Sequence, residues 1–120
     1  MDERIRFIEH QGKRILLLDF SLATARQMIP ILTQVQTTVA QQAPKSALVL
    51  ANYEGAEIDE KVAMKIKEVL MLDRPFVKKA AWIGAEHIPH ALIENFHIFS
   101  QRETTTFKTR EEALEWLVRE

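Results

Sequence analysis

Ser46-Ala47-Leu48-Val49-Leu50-Ala51 has no polar residue after Ser46 and lies between Pro44-Lys45 and a polar loop running from Asn52 through Glu57. A strand with one wet face alternates polar with apolar residues. A short run that is apolar throughout is buried on both faces, as a central parallel strand is. Parallel neighbours are joined by crossovers, so helices are expected on either side of it along the chain. Upstream, Arg14-Ile15-Leu16-Leu17-Leu18-Asp19-Phe20 reads as a second buried strand. Arg4-Ile5-Arg6-Phe7-Ile8-Glu9 mostly alternates and reads as an edge strand, joined to it through a turn at Gln11-Gly12.

Between the buried strands, Ser21 and Thr24 are both candidate helix caps, and Thr24 with Gln27 forms a capping-box pattern. The helix is expected to reach about Gln42, with Met28, Ile31, Leu32, Val35 and Val39 facing inward. Pro30 either kinks a helix that starts at Thr24 or occupies the first turn of one that starts near Ile29. Downstream, Asp59 is expected to cap a helix to about Leu72, with Val62, Ile66, Val69 and Leu70 inward. Pro75 ends that periodicity, and Ala80-Ala81-Trp82-Ile83-Gly84 supplies the next strand. A third helix is expected from about Ile88 to Asn95, then a last edge strand at Phe96-His97-Ile98-Phe99. Thr109-Arg110-Glu111-Glu112 is a capping box that opens a final helix with Ala113, Leu114, Trp116 and Leu117 as its apolar stripe. The order ββαβαβαβα describes an α/β domain with a mixed, mostly parallel sheet.

The 120 residues, 47% of them hydrophobic, suit a single domain over residues 1–120 with one core. Sixteen basic and seventeen acidic side chains leave a net charge of -1, so no overall field draws the chain to nucleic acid or to an anionic membrane. The absence of cysteine removes disulfides, thiolate nucleophiles and sulfur-rich zinc sites together. The apolar runs are strand-sized, too short to span a bilayer, and Met1-Asp2-Glu3-Arg4 does not read as a signal or transit peptide. A cytoplasmic location is the expectation.

Gly12-Lys13 before Ile15 through Ser21, Pro44 through Leu50, Arg74-Pro75-Phe76-Val77-Lys78-Lys79-Ala80-Ala81-Trp82-Ile83-Gly84, and Phe107 through Leu117 together resemble the SpoIIAA-like or STAS (STAS/SEC14-like) family of small bacterial domains. These are mainly structural signatures. The resemblance implies a SpoIIAA/STAS-like fold and, by way of the anti-sigma-factor antagonists that share it, a kinase or anti-sigma partner switched by phosphorylation. In those relatives the acceptor serine lies in an Asp-Ser-Ser-Gly motif that opens the second helix. The matching stretch here is Asp59-Glu60-Lys61-Val62, with Glu60 in place of the acceptor. A glutamate holds fixed negative charge but cannot gain or lose a phosphate.

Four groups of residues are candidates for a site. Asp19 and Ser21 end a buried strand, where open α/β sheets bind ligands, although a cap or turn at Ser21 with Asp19 serving nearby amides is the more usual reason for such a pair. A receiver-type phosphoacceptor role for Asp19 is disfavoured because no acid pair follows the first strand to hold magnesium. Asn52, Tyr53 and Glu54 lie with Gly55 in the loop after the central strand, where an exposed aromatic would serve recognition or would simply cover the top of the sheet. Together with Asp59 and Glu60 these form the candidate partner- or ligand-binding set.

Arg74, Lys78 and Lys79, with Arg102, Lys108 and Arg110 later in the chain, would hold an anion if the fold gathers them, and otherwise form a solvated rim. His87, His90 and Glu94 stand at i, i+3 and i+7 on a helical count, a spacing that could serve a metal. Pro89 places His87 in the loop, however, so no metal site and no cofactor are assigned. No catalytic constellation is legible. The expected function is a non-enzymatic regulatory or protein-interaction module, with a carrier or sensor of a small apolar or anionic ligand as the alternative. A homodimer is compatible with either.

Overall fold

The computed structural model describes residues 3–101 and 105–119. Its elements are β1 (Ile5–His10), β2 (Lys13–Asp19), α1 (Ala25–Val39), β3 (Ala47–Asn52), α2 (Glu60–Asp73), β4 (Val77–Ile83), α3 (His90–Ser100), β5 (Thr105–Phe107) and α4 (Arg110–Val118). The order ββαβαβαβα is the one the sequence implies. The five strands lie in sequence order, β1 antiparallel to β2 and every later pair parallel. Leu16 to Asp19 of β2 register with Val49 to Asn52 of β3, which aligns the carboxyl ends of the two strands.

Each buried strand supplies both faces of the sheet. Leu16, Leu18, Val49, Ala51 and Trp82 point to the layer made by α1, α2 and α3. Ile15, Leu17, Leu48, Leu50 and Ala81 point the other way, onto Ala113, Leu114 and Leu117 of α4. The near-continuous apolar runs therefore mark strands covered on both sides. Parity changes once: Ala47 pairs with Val77 and Leu48 with Lys79, so Lys78 is the extra residue of a bulge. The bulge returns Val77 to the three-helix side and leaves Lys79 facing α4.

The expected stripe of α1 (Met28, Ile31, Leu32, Val35 and Val39) is fully buried, as are Val62, Ile66 and Val69 of α2. Thr24 accepts from the Gln27 backbone N–H, and the Gln27 side chain accepts in return from the Thr24 N–H, closing the capping box. Pro30 falls inside the helix on its exposed side. There its missing donor leaves only one carbonyl to water.

The last strand departs from expectation. Phe96-His97-Ile98-Phe99 is the second half of α3, and the edge strand is Thr105-Thr106-Phe107. Aromatic and β-branched content favours a strand there, but Phe96 and Ser100 are buried four apart, and Leu92 and Ile93 join Phe96 against the core. This is helical spacing, and no glycine or proline interrupts it after Pro89. The helix ends at Gln101, whose backbone is left-handed (φ 57°) and whose N–H donates to the His97 carbonyl.

Candidate functional site

Three loops leave the carboxyl ends of β2, β3 and β4, at the edge where open α/β sheets present their sites. They span residues 20–24, 53–59 and 84–89, and the backbone braces them into one platform. From the first to the second, Phe20 N–H donates to Asn52 O (2.8 Å), Leu22 N–H to Glu54 O (2.8 Å), and Ala25 N–H to the Glu57 carboxylate (2.8 Å). Glu57 N–H returns a bond to Ala23 O (2.9 Å). Between the second and third, Tyr53 N–H donates to Ile83 O (2.9 Å) and the His87 Nε2–H to Ala56 O (2.8 Å).

Two glycines permit the close approach. Gly84 has φ +68°, and a Cβ there would stand 2.5 Å from the Glu54 nitrogen. Gly55 has φ +67°, and a Cβ there would meet a Leu22 methyl at 2.6 Å. Leu22 itself adopts φ +57° and leaves its side chain 77% exposed.

The candidate residues divide between this platform and the core. Asp19 accepts from the Ser21 N–H (3.0 Å), and Arg4 donates to the carbonyls of both residues (3.0 Å each). These contacts are those of a turn. Asn52 likewise accepts from the Glu54 N–H at 3.0 Å. Asp59 caps α2 by accepting from Val62 N–H at 2.8 Å, and Glu60, the first residue of that helix, is exposed. Glu54 and Glu57 are also exposed.

Of the two readings of Tyr53, an exposed aromatic or a cover for the sheet, the structure shows the second. Tyr53 is 3% exposed and stacks on Phe20 (4.9 Å between centroids) and against Trp82 (4.4 Å), continuing to Phe96. The physical reason is parity: Asn52 faces the turn, so the next side chain points into the three-helix layer with Ala51 and Val49. Burial, and secondarily the nearby Asp73 carboxylate, pushes the phenol pKa far above its ordinary value. Tyr53 and Asp73 share a cavity of about 40 Å³ with apolar neighbours including Leu18, Leu32, Ile66 and Trp82.

The basic cluster is split across the sheet. Lys45 donates to Arg74 O (3.1 Å) and Arg74 to Phe99 O (2.7 Å), at the carboxyl ends of α2 and α3. On the opposite face Lys79 donates to Trp116 O (3.0 Å) and Arg119 O (2.6 Å), and Lys13 to Val118 O (3.1 Å), at the end of α4. These cations meet carbonyls in or just beyond the last turns of helices, at their negative ends, so capping accounts for their position. Lys79 also lies 4.8 Å from the centre of the Trp116 ring, and desolvation, followed by Lys78, Lys13 and Arg119, lowers its pKa. Lys78 is exposed on the bulge, and Arg102 lies outside the described residues. Lys78 lines a pocket with Lys45 and Arg74, while Lys79 lies against α4, so the three residues are not gathered in one place.

The histidines also separate. His87 braces the platform through Ala56, whereas His90 pairs with Glu94 at 3.2 Å on exposed α3. Among the described residues no group of three metal-ligating side chains comes together. Leu22 and the bracing role of His87 escaped the sequence reading. Gly55 and Gly84 were the only signals of close packing here.

No protein-family model matches the chain, and neither does any curated protein. Solved structures do. An uncharacterized protein of the DUF3478 family with a SpoIIAA-like fold, from Shewanella loihica PV-4, superposes with a TM-score of 0.69 at 15% identity, over 94% of this chain and 91% of that one. An anti-sigma-factor antagonist (STAS) domain protein from Planctomyces limnophilus superposes with a TM-score of 0.64 at 15% identity, over 96% and 98%. The chain is thus an α/β domain with the SpoIIAA/STAS-like fold. No helix among the described residues is long and apolar enough to cross a membrane.

Proposed function

We propose that the chain is a non-enzymatic regulatory module that docks a protein partner on the platform at the carboxyl ends of β2, β3 and β4. One observation carries this reading: three loops are cross-braced into a fixed surface whose exposed carboxylates at Glu54 and Glu60 make no hydrogen bond that the fold uses. Such a surface loses little conformational freedom on docking. The fold relation to an anti-sigma-factor antagonist domain supports a protein partner. Glu60 opens α2, and the resemblance equates it with the phosphoacceptor of the anti-sigma-factor antagonists; on that reading the partner meets constant negative charge and phosphorylation of this position plays no part in the exchange. The histidines support a non-catalytic reading, because His87 is engaged by Ala56 and His90 by Glu94.

The cavity around Tyr53 and Asp73 favours a second reading, a small-ligand sensor. Its 40 Å³ is roughly a quarter of the about 150 Å³ that accommodates benzene in an engineered apolar cavity, so a ligand would have to part α1 and α2 from the sheet. Affinity purification of the tagged chain from its native cells tests the first reading. A protein partner should be retained by wild type and by Glu68→Lys and lost with Glu54→Lys plus Glu60→Lys. Equal retention by all three baits would refute docking on this surface.

A further inference from the structure

Leu22 is a poor residue for the place it occupies. Its φ of +57° lies in the left-handed region, which costs a residue with a Cβ about 1–2 kcal/mol and suits glycine or asparagine. Its side chain is also 77% exposed, the highest value among the exposed large hydrophobics. The others, Met64, Met71, Leu72 and Ile98, sit on the bodies of α2 and α3 in ordinary helical backbone.

The surroundings hold Leu22 in this conformation. Its N–H donates to Glu54 O, Ala23 beside it is buried and accepts from Glu57 N–H, and its methyl lies where a Cβ on Gly55 would be. Neighbouring Glu54 is fixed in turn by Gly84. Strain that the neighbours over-determine, at a side chain that rests on Gly55 yet stays largely exposed, is characteristic of a functional contact.

We infer that Leu22 is the anchor of the docking platform, an apolar knob that enters a socket on a partner protein whose rim is basic; the inference rests on the docking reading above. The charge follows from the three loops, which carry Glu54, Glu57, Asp59 and Glu86 and no lysine or arginine. A pre-ordered aliphatic side chain on loops rich in carboxylates, with Arg4 turned onto the Asp19 and Ser21 carbonyls, complements an apolar pocket bordered by lysine and arginine. The same carboxylates repel an anionic bilayer.

The test uses the protein captured by the wild-type chain, purified and titrated against Leu22→Asn, Leu22→Gly, Glu54→Lys and Met64→Asn. Leu22→Asn and Leu22→Gly should each weaken binding by about 30-fold or more, as loss of an interface anchor does. Both should melt at the wild-type temperature or above it, because they relieve the left-handed strain. Glu54→Lys should slow association at low salt, and Met64→Asn should bind as wild type does. Unchanged affinity in both Leu22 variants, with Glu54→Lys still impaired, overturns the anchor and leaves the platform reading standing. Unchanged affinity in all three platform variants, or no captured protein, overturns both. Co-sedimentation of wild type, but not Leu22→Asn, with phosphatidylcholine vesicles would assign the knob to a bilayer and overturn the protein partner.

Discussion

Replacing Gly84 by alanine tests whether the platform is braced as described, with Gly12→Ala as its internal reference. Both glycines have positive φ, +68° at Gly84 and +79° at Gly12, so both substitutions incur the left-handed penalty of about 1–2 kcal/mol. At Gly12 nothing lies within 4 Å of the new Cβ, and the penalty ends there. At Gly84 the Cβ would stand 2.5 Å from the nitrogen, 2.8 Å from the Cα and 2.9 Å from the Cβ of Glu54. These are backbone atoms or atoms next to it, not the end of a flexible side chain, so the second loop must move. Overpacking of this kind adds about 1–3 kcal/mol. Gly84→Ala should therefore destabilise by about 2–5 kcal/mol against 1–2 for Gly12→Ala. In urea unfolding the two should differ in midpoint and not in slope. Amide exchange at Tyr53 and Leu22 should accelerate only in Gly84→Ala, because their acceptors belong to the displaced junction. Equal midpoints for the two variants would refute the close approach of the loops.

Three further outcomes follow from the same geometry. Tyr53 is the chain's one tyrosine, so phenolate absorbance reports on it alone. Its folded pKa lies above the unfolded value of about 10, so its contribution to stability is whole below pH 10 and declines as pH rises beyond it. The folded protein should show no phenolate at about pH 11, whereas the urea-unfolded chain should show it; a folded-state titration near 10 would contradict the buried ring. Asp59→Ala should cost about 1 kcal/mol through the lost cap of α2, while Glu60→Ser, at an exposed position, should stay within about 0.5 kcal/mol. The reverse order in a thermal melt would misplace the start of the helix. With Trp116→Phe, the remaining Trp82, 3% exposed, should emit to the blue of free tryptophan and shift red on unfolding; native emission at the free wavelength would contradict its place in the core.

What the sequence disclosed was mostly local or periodic. The capping box at Thr24 and the caps at Asp59 and Thr109 depend on residues three apart, and the stripe from Met28 to Val39 follows helical spacing. The central strands were legible because burial on both faces removes polar residues altogether. Tyr53 was not, since its ring direction depends on a strand register that sequence does not print and on pairing with Ile83 thirty residues away. The mistaken strand at Phe96–Phe99 came from a short aromatic run that satisfies both periods, with only the longer pattern from Leu92 to Ser100 able to arbitrate. The basic residues are divided because Lys79 keeps the parity of Ala81 and faces α4, whereas Lys78, the extra residue of the bulge, lines a pocket with Arg74 and Lys45. At the platform, the position of Glu60 at the start of α2 was legible from the Asp59 cap before it. Leu22 was not, because its significance lies in a φ angle and in the seat that Gly55 provides.

On the reading proposed above, the surface at the carboxyl ends of β2, β3 and β4 takes a protein and the cavity takes no small molecule. Native mass spectrometry of the chain gently purified from its own cells measures this directly. A complex with a second polypeptide is expected which, on dissociation, releases the 13.9 kDa chain without an adduct. A 13.9 kDa chain free of any polypeptide and carrying a small-molecule adduct would contradict it and move the function to the cavity beside Tyr53 and Asp73.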